Sequence, residues 1–469
     1  MRSAPKLLLF ACLALTGCAA VRKPDVRLPA AFEAPATSAT ATPALDRWWT
    51  SFDDPQLTTL IDQALAANPD ARSAALRLRE AQAQRASTLS QFLPQGDLTG
   101  SAKRTHSTQV SGTVIPDIPG FSTNGVSEAY ASNFNVSWEV DLFGRIFAAN
   151  KIAKAEISAA RLDYEGARAS LAAQVADAYF QARGLAIQLA DARETLRIQR
   201  ELYDLATRRA EVGIGASSDA DRVAGELAQA EAQAASLEAE LQIQRRTLLI
   251  LAGRIVEPTA NIEAPPFVGE APAVPVSVPS TLLERRPDVR AAQERVRSAL
   301  GQRDLARLDL FPVFKFTPGL GWSKQSQPGF TTETDSWTLG ATAIQPVLSL
   351  PKLLADLRVQ SIRADEAVTT YEKTVQTAFG EAEGSLVRLE ADRRQVATLT
   401  LGEARAQRAY RAARIGYARG LTDLQSALSA EQTWRATRTQ LTSAQVGAVR
   451  QAVQAYKALG GGWSAGEVH

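Results

Sequence analysis

The sequence predicts a mixed α/β membrane chain that is internally duplicated. Short strands that need partners from other chains join one β-barrel, and long helical hairpins extend beyond any membrane's thickness. Three observations predict this. A helix-opening motif occurs twice in the same surroundings, apolar and polar residues alternate over strand-length segments, and breaker-free stretches run far beyond an ordinary helix.

The copies come first. Asn68-Pro69-Asp70-Ala71-Arg72 runs on to Phe92-Leu93-Pro94, and Arg286-Pro287-Asp288-Val289-Arg290 runs on to Leu310-Phe311-Pro312, with both prolines offset by 218. Proline suits the first helical position, and the Asp after it meets the positive end of the helix dipole. Further on, Asp219 and Asp423 stand at matching places after glycine-bearing breaks. Each copy reads helix, two strands, long helix, turn, long helix. The first copy spans 46–255, with strands in 97–142 and a hairpin tip at 212–219. The second spans 281–459, with strands in 313–347 and a tip at 416–423. A proline-rich linker, 256–280, joins them, and 460–469 is a tail.

Within the strands, Phe134, Val136, Trp138 and Val140 alternate with Asn133, Asn135, Ser137, Glu139 and Asp141. Period-two alternation puts the apolar set on one face, so that set is expected to face lipid and the polar set a lumen. Phe314, Phe316, Leu320 and Trp322 share one parity, as do Trp337, Leu339, Ala341 and Ala343. The segments 107–127 and 324–333, rich in Ser, Thr, Gly and Pro, read as external loops. No mature segment is apolar enough for a transmembrane helix, so a membrane crossing has to be a closed barrel. Four strands cannot close one alone.

The helices follow. From Ile146 to Val212 there is no proline, which is on the order of 100 Å of helix. On its partner, Val223, Leu227, Ala230, Ala234, Leu237, Leu241 and Leu248 recur at steps of four and three, a heptad seam. Ile198, Leu202, Leu205 and Val212 continue the rule on the first helix, and 352–415 with 421–459 repeat the hairpin.

The N-terminus adds an address. Arg2 and Lys6 precede the apolar run Leu7 to Leu15, too short to span a bilayer, so 1–17 reads as a signal peptide. It ends Leu15-Thr16-Gly17-Cys18, which resembles the bacterial lipobox, so Cys18 is expected to carry diacylglycerol and an N-acyl chain at the head of a linker, 18–45. Ala19, in place of the Asp that retains such proteins inside, points to the outer membrane.

Composition narrows function. With 52 basic against 50 acidic residues the net charge is +2, so nothing draws the chain to nucleic acid. The histidines are His106 and His469 and the cysteines Cys12 and Cys18, too few for a metal cluster, an internal disulfide or an acid–base pair. No Ser-His-Asp set or phosphate-binding glycine loop is present, so neither an enzyme nor a cofactor is expected.

Trp48-Trp49-Thr50-Ser51-Phe52-Asp53-Asp54-Pro55, Ser137-Trp138-Glu139-Val140-Asp141-Leu142-Phe143-Gly144-Arg145 and Leu282-Leu283-Glu284-Arg285-Arg286-Pro287-Asp288-Val289-Arg290-Ala291-Ala292 carry a resemblance over nearly all of the mature chain. The chain resembles TolC-type outer-membrane efflux proteins, in the lipoprotein branch (OprM/NodT-like) that serves resistance-nodulation-division pumps. The resemblance implies a homotrimer in which four strands per chain make a twelve-stranded barrel and the helices form a periplasmic tunnel. It implies a periplasmic adaptor protein at the tips, an inner-membrane transporter behind it, and passive conduction of small toxic molecules. Residue by residue, Val212, Gly213, Ile214, Gly215 and Ser217 match the first docking tip, and Gly420 and Thr422 the second. Leu421 and Asp423 match the constriction, with Arg419 placed to hold it closed, although Ser426 stands where an Asp is common. A duct for type I protein secretion, or a periplasmic coiled-coil lipoprotein without a pore, are the alternatives.

Overall fold

A computed structural model describes residues 24–33, 45–108, 125–214, 216–275, 279–327 and 329–463. Cys18, Gly215, most of the first expected loop and the end of the tail lie outside the described residues.

After a 3-10 segment, Leu45–Phe52, come α1 (Pro55–Ala67) and α2 (Pro69–Ser90). Both begin on proline. Asp54 caps α1, its Oδ1 accepting from the N–H of Gln56 and Leu57 at 3.1 Å, and Asn68 Oδ1 accepts from Asp70 N at 2.7 Å to start α2. Strands β1 (Gln95–Ser107) and β2 (Gly125–Val140) lead to the hairpin α3 (Arg145–Glu211) and α4 (Ser217–Leu251). The second copy repeats this as α5 (Pro287–Leu308), β3 (Val313–Gln327), β4 (Phe330–Ile344), α6 (Leu350–Ala418) and α7 (Leu424–Ala458).

The strands form one antiparallel sheet in the order β1-β2-β3-β4. The second hairpin differs from expectation. The strands run on through most of 324–333, β3 to Gln327 and β4 from Phe330, with Gly329 at φ +104 just before β4. Alternation within that segment is polar on both faces, so composition alone read it as loop. Similarly, β2 ends at Val140, and Asp141 is no strand residue. Its carboxylate accepts the N–H groups of Gly144, Arg145 and Ile146 at 2.7–2.9 Å, capping α3.

The chain divides into two compact units. One contains Arg79–Ala159 and Gln293–Thr370, hence the sheet; the other contains Asp25–Leu78, Ala160–Ala292 and Tyr371–His469. In the second unit, Trp48 stacks on Tyr456 at 5.6 Å with Phe52, Tyr179 and Phe180 around it. Tyr179 Oη donates to Asp54, which also pairs with Arg183, so the cap of α1 is tied into this core. The described part of the proline-rich linker is packed there through Ile262, Val268 and Val274. Residues 25–33 lie along α6. Val26 and Leu28 pack beside Val289, Val375 and Ala378, Phe32 stacks on Phe379, and the N–H groups of Asp25 and Glu33 donate to Glu372 and Glu383.

On α4, Val223, Ala230, Leu237, Leu241 and Leu248 are buried, with Leu227 and Ala234 half-buried. Each fully buried leucine stabilises the hairpin by about 1.5–3 kcal/mol. On α3 the seam takes Ile198 and Leu202 as expected, with Leu205 half-buried against it, and adds Ala206. Val212 does not join it, because the helix ends at Glu211 and Val212 is exposed.

Candidate channel surfaces and periplasmic tip

Both hairpins turn by the same device. Gly213 (φ +73) donates to Ala210 O and Ile214 to Arg209 O; Gly420 (φ +74) donates to Tyr417 O and Leu421 to Gly416 O, at 2.8–3.1 Å. This is the Schellman closure, which needs a left-handed residue and therefore glycine. The side chain after each glycine, Ile214 or Leu421, is left exposed at 71% and 77%.

Asp423 is the N-cap of α7. Its Oδ1 accepts from Ser426 N at 2.7 Å, and hydrogen bonding from Ser426 holds its carboxyl below the usual range. The glycine caps align Asp423 with Ala216, which caps nothing, rather than with Asp219, which sits inside the first turn of α4. Thr422 Oγ1 donates to Ala413 O at 3.2 Å. Val212, Ser217 and Arg419 are exposed, and Arg419 forms no ion pair among the described residues. The arginine that ties one tip to the other is Arg209. Its guanidinium lies 5.0 Å from the Tyr417 ring centre and donates to Tyr417 O at 3.3 Å, while Arg222 donates to Gln425 at 2.8 Å.

Behind the tips an apolar cluster joins both hairpins: Ile198, Leu202, Val223, Tyr410, Leu428 and Trp434. Inside it sits Glu431, fully buried. Its Oε2 accepts from Gln199 Nε2 at 3.0 Å and Oε1 lacks a hydrogen-bond partner. Arg435 lies 3.5 Å away and is shared with Glu226. Burial pushes the Glu431 carboxyl up to about 7, Arg435 opposing and Glu226 adding to the shift.

In the sheet, the register places Leu98, Phe134, Leu320 and Trp337 in one row. Trp138, Phe316 and Ala341 make another, and Val140, Phe314 and Ala343 a third. The opposite face carries Thr99, Asn133, Gly321 and Ser336, then Asp97, Asn135, Gly319 and Thr338. Phe134 and Trp138 are exposed and Val136 and Val140 half-buried. One face of the sheet is thus apolar yet uncovered by the described residues, and no helix among them is long and apolar enough to cross a membrane.

The model of the family described as "Outer membrane efflux protein" matches residues 60–254 and 278–461. The chain belongs to the outer membrane efflux protein family. This efflux channel is 27% identical over 459 residues to the pyoverdine export outer membrane protein OpmQ of Pseudomonas aeruginosa, covering 97% of this chain and 96% of that one. It is 28% identical over 465 residues to the toluene efflux pump outer membrane protein TtgC of Pseudomonas putida, covering 96% and 93%. Its structure matches that of the outer-membrane channel OprN with a TM-score of 0.77 at 29% identity, covering 94% of this chain and 99% of that one. The protein therefore has the family's barrel-plus-helical-tunnel fold and acts in the outer membrane as the channel of an efflux pump.

Two features of this efflux channel were not read from the sequence. Arg209 and Glu431 look like ordinary surface charges on amphipathic helices, because their roles depend on which residue of another helix lies opposite. The adjacency of Tyr410 and Trp434 to the seam was the available signal: aromatic rings at a helix crossing enclose whatever polar group stands beside them.

Proposed function

We propose that three copies of the chain close their sheets into one twelve-stranded barrel, anchored by diacylglycerol and N-acyl lipid on Cys18. A periplasmic adaptor protein docks at the tips (Val212 to Ser217, and Gly420 with Thr422), and a resistance-nodulation-division transporter drives small toxic molecules into the duct. The observation that carries this is the sheet, with one bare apolar face and two open edges, β1 and β4. Lipid satisfies the face, and only pairing with other copies satisfies the edges. Relatives are named for pyoverdine, toluene and cation export, so the shared duct leaves cargo choice to the pump.

The gate follows from threefold repetition of the second tip. Leu421 supplies an apolar ring and Asp423 a ring of carboxylates, with Arg419 beside them to pair across copies. Single-channel recording in planar bilayers tests it. Leu421→Ala and Arg419→Ser are expected to raise conductance. Asp423→Asn, which keeps a capping side chain but removes the charge, is expected to lower cation preference. Unchanged conductance and selectivity in all three variants would place the constriction elsewhere.

A further inference from the structure

The duplication fixes more than the number of strands. Pro69 and Pro287 open helices of 22 residues each, and Gln95 and Val313 open β1 and β3, both pairs at an offset of 218. From β2 onward the offset is 207. The rung Gln95–Ser137 becomes Val313–Ile344, Gly213 becomes Gly420, and the last residue of α4, Leu251, becomes Ala458, the last of α7. The two offsets together also relate side-chain contacts. Trp138 Nε1 donates to Phe92 O at 3.2 Å, and at the corresponding place Gln345 Nε2 donates to Leu310 O at 3.2 Å.

Within the sheet of one chain the copies meet along a single seam, β2 against β3, where Phe134 faces Leu320, Trp138 faces Phe316 and Val140 faces Phe314. The corresponding seam, second copy against first, has no partner among the described residues of the chain. Its halves are the edges of β4 and β1. We infer that a second copy of this chain supplies that partner in the register dictated by the two offsets. Ala341 of one copy lies opposite Ala102 of the next, Thr342 opposite Ser101, Ile344 opposite Thr99 and Gln345 opposite Leu98.

The apolar residues at the end of the seam agree. Phe143 stacks on Phe311 at 4.9 Å and lies 6.4 Å from Phe314, closing the inner seam at its helical end. The counterparts of Phe143 and Phe311 are Leu350 and Leu93, and that of Val140 is Val347. These are 42%, 61% and 70% exposed on a single chain. Docked in the inferred register, they cover one another. A slip by one residue would turn the apolar row Trp337, Leu339, Ala341 and Ala343 toward the polar row of β1, so slips by two are the competing registers.

The inference rests on the trimeric barrel proposed above, and cysteine cross-linking separates the two. The chain's cysteines are Cys12 and Cys18 alone, so introduced pairs are clean. The in-register pairs are Ala341→Cys with Ala102→Cys and Thr342→Cys with Ser101→Cys. They sit on adjacent rungs of opposite hydrogen-bonding type, which protects the test if one pair folds or oxidises badly. The slipped pairs are Ala341→Cys with Gly100→Cys and Ala341→Cys with Arg104→Cys. Directly opposite residues fall within disulfide reach and diagonal ones near or beyond it, roughly 5 against 7–8 Å. Mild oxidation of membranes should give a ladder of one, two and three chains from at least one in-register pair, at least tenfold faster than from either slipped pair. A ladder ending at three but fastest from a slipped pair overturns the register and leaves the trimer standing. No ladder from any pair, with monomers in native mass spectra of the same samples, overturns both.

Discussion

Glu431 is a carboxyl that four helices surround. Gln199 approaches from α3, Glu226 from α4, Tyr410 and Arg414 from α6, and Arg435 from its own helix. A packed state that holds its proton up to about 7, against an ordinary value of 4.5, is favoured below 4.5 and loses that advantage as pH rises toward 7. The loss has a ceiling of about 3–4 kcal/mol at roughly 1.4 kcal/mol per pH unit. Thermal unfolding of the detergent-solubilised protein should therefore show stability falling between about pH 5 and pH 7 in the wild type, while Glu431→Gln, which cannot ionise, shows a flatter profile. Parallel profiles would mean that Glu431 is solvated in solution. At this scale the sequence was legible only where a residue acts locally. Gly213 and Gly420 could be read as turns because a left-handed closure needs glycine whatever surrounds it. Asp423 could be placed near the tip but not recognised as a cap, and the partner of Arg209 could not be read at all, since Tyr417 lies 208 residues away.

The strands show how far periodicity reaches. In β2 the alternation from Asn133 to Val140 identified both faces, since one face is uniformly apolar. Beyond Trp322 the second hairpin is polar on either side, and the same rule lost it. The face assignment has a direct consequence for stability. Val136→Arg places a guanidinium on the apolar face and is expected to cost about 2–4 kcal/mol near the membrane midplane, whereas Ser137→Arg, one residue on, should cost under about 1 kcal/mol. Refolding titrations into lipid vesicles measure both. Equal costs would deny the two faces their different surroundings. In the helices the four–three spacing located the seam of α4 but carried the α3 seam one step too far, to Val212, because nothing in that spacing marks where a Schellman closure intervenes.

For the molecule as a whole, duplication was the most legible property, because both copies keep the same order of elements and helix lengths of 67 and 69, then 35 and 35, residues. What it could not supply was the packing of segments that belong to neither copy. Residues 25–33 and the proline-rich linker read as tethers, yet they are held against α6 and the aromatic core. Lipidation is the remaining expectation at this scale. Metabolic incorporation of a fatty-acid probe should label the wild type and leave Cys18→Ser unlabelled; equal labelling would mean the leader is an ordinary one.

The docking of Asp25 and Glu33 on α6 then acquires a mechanical meaning. If lipid is carried at Cys18 and the chain is held at Asp25, the two points are seven residue steps apart, a span of at most about 25 Å. Such a leash cannot follow a large vertical excursion. The point where Asp25 meets Glu372 on α6 then stays within that reach of the leaflet that holds the lipid. The tip at Gly420, 48 residues along the chain from Glu372, is left outside that restraint.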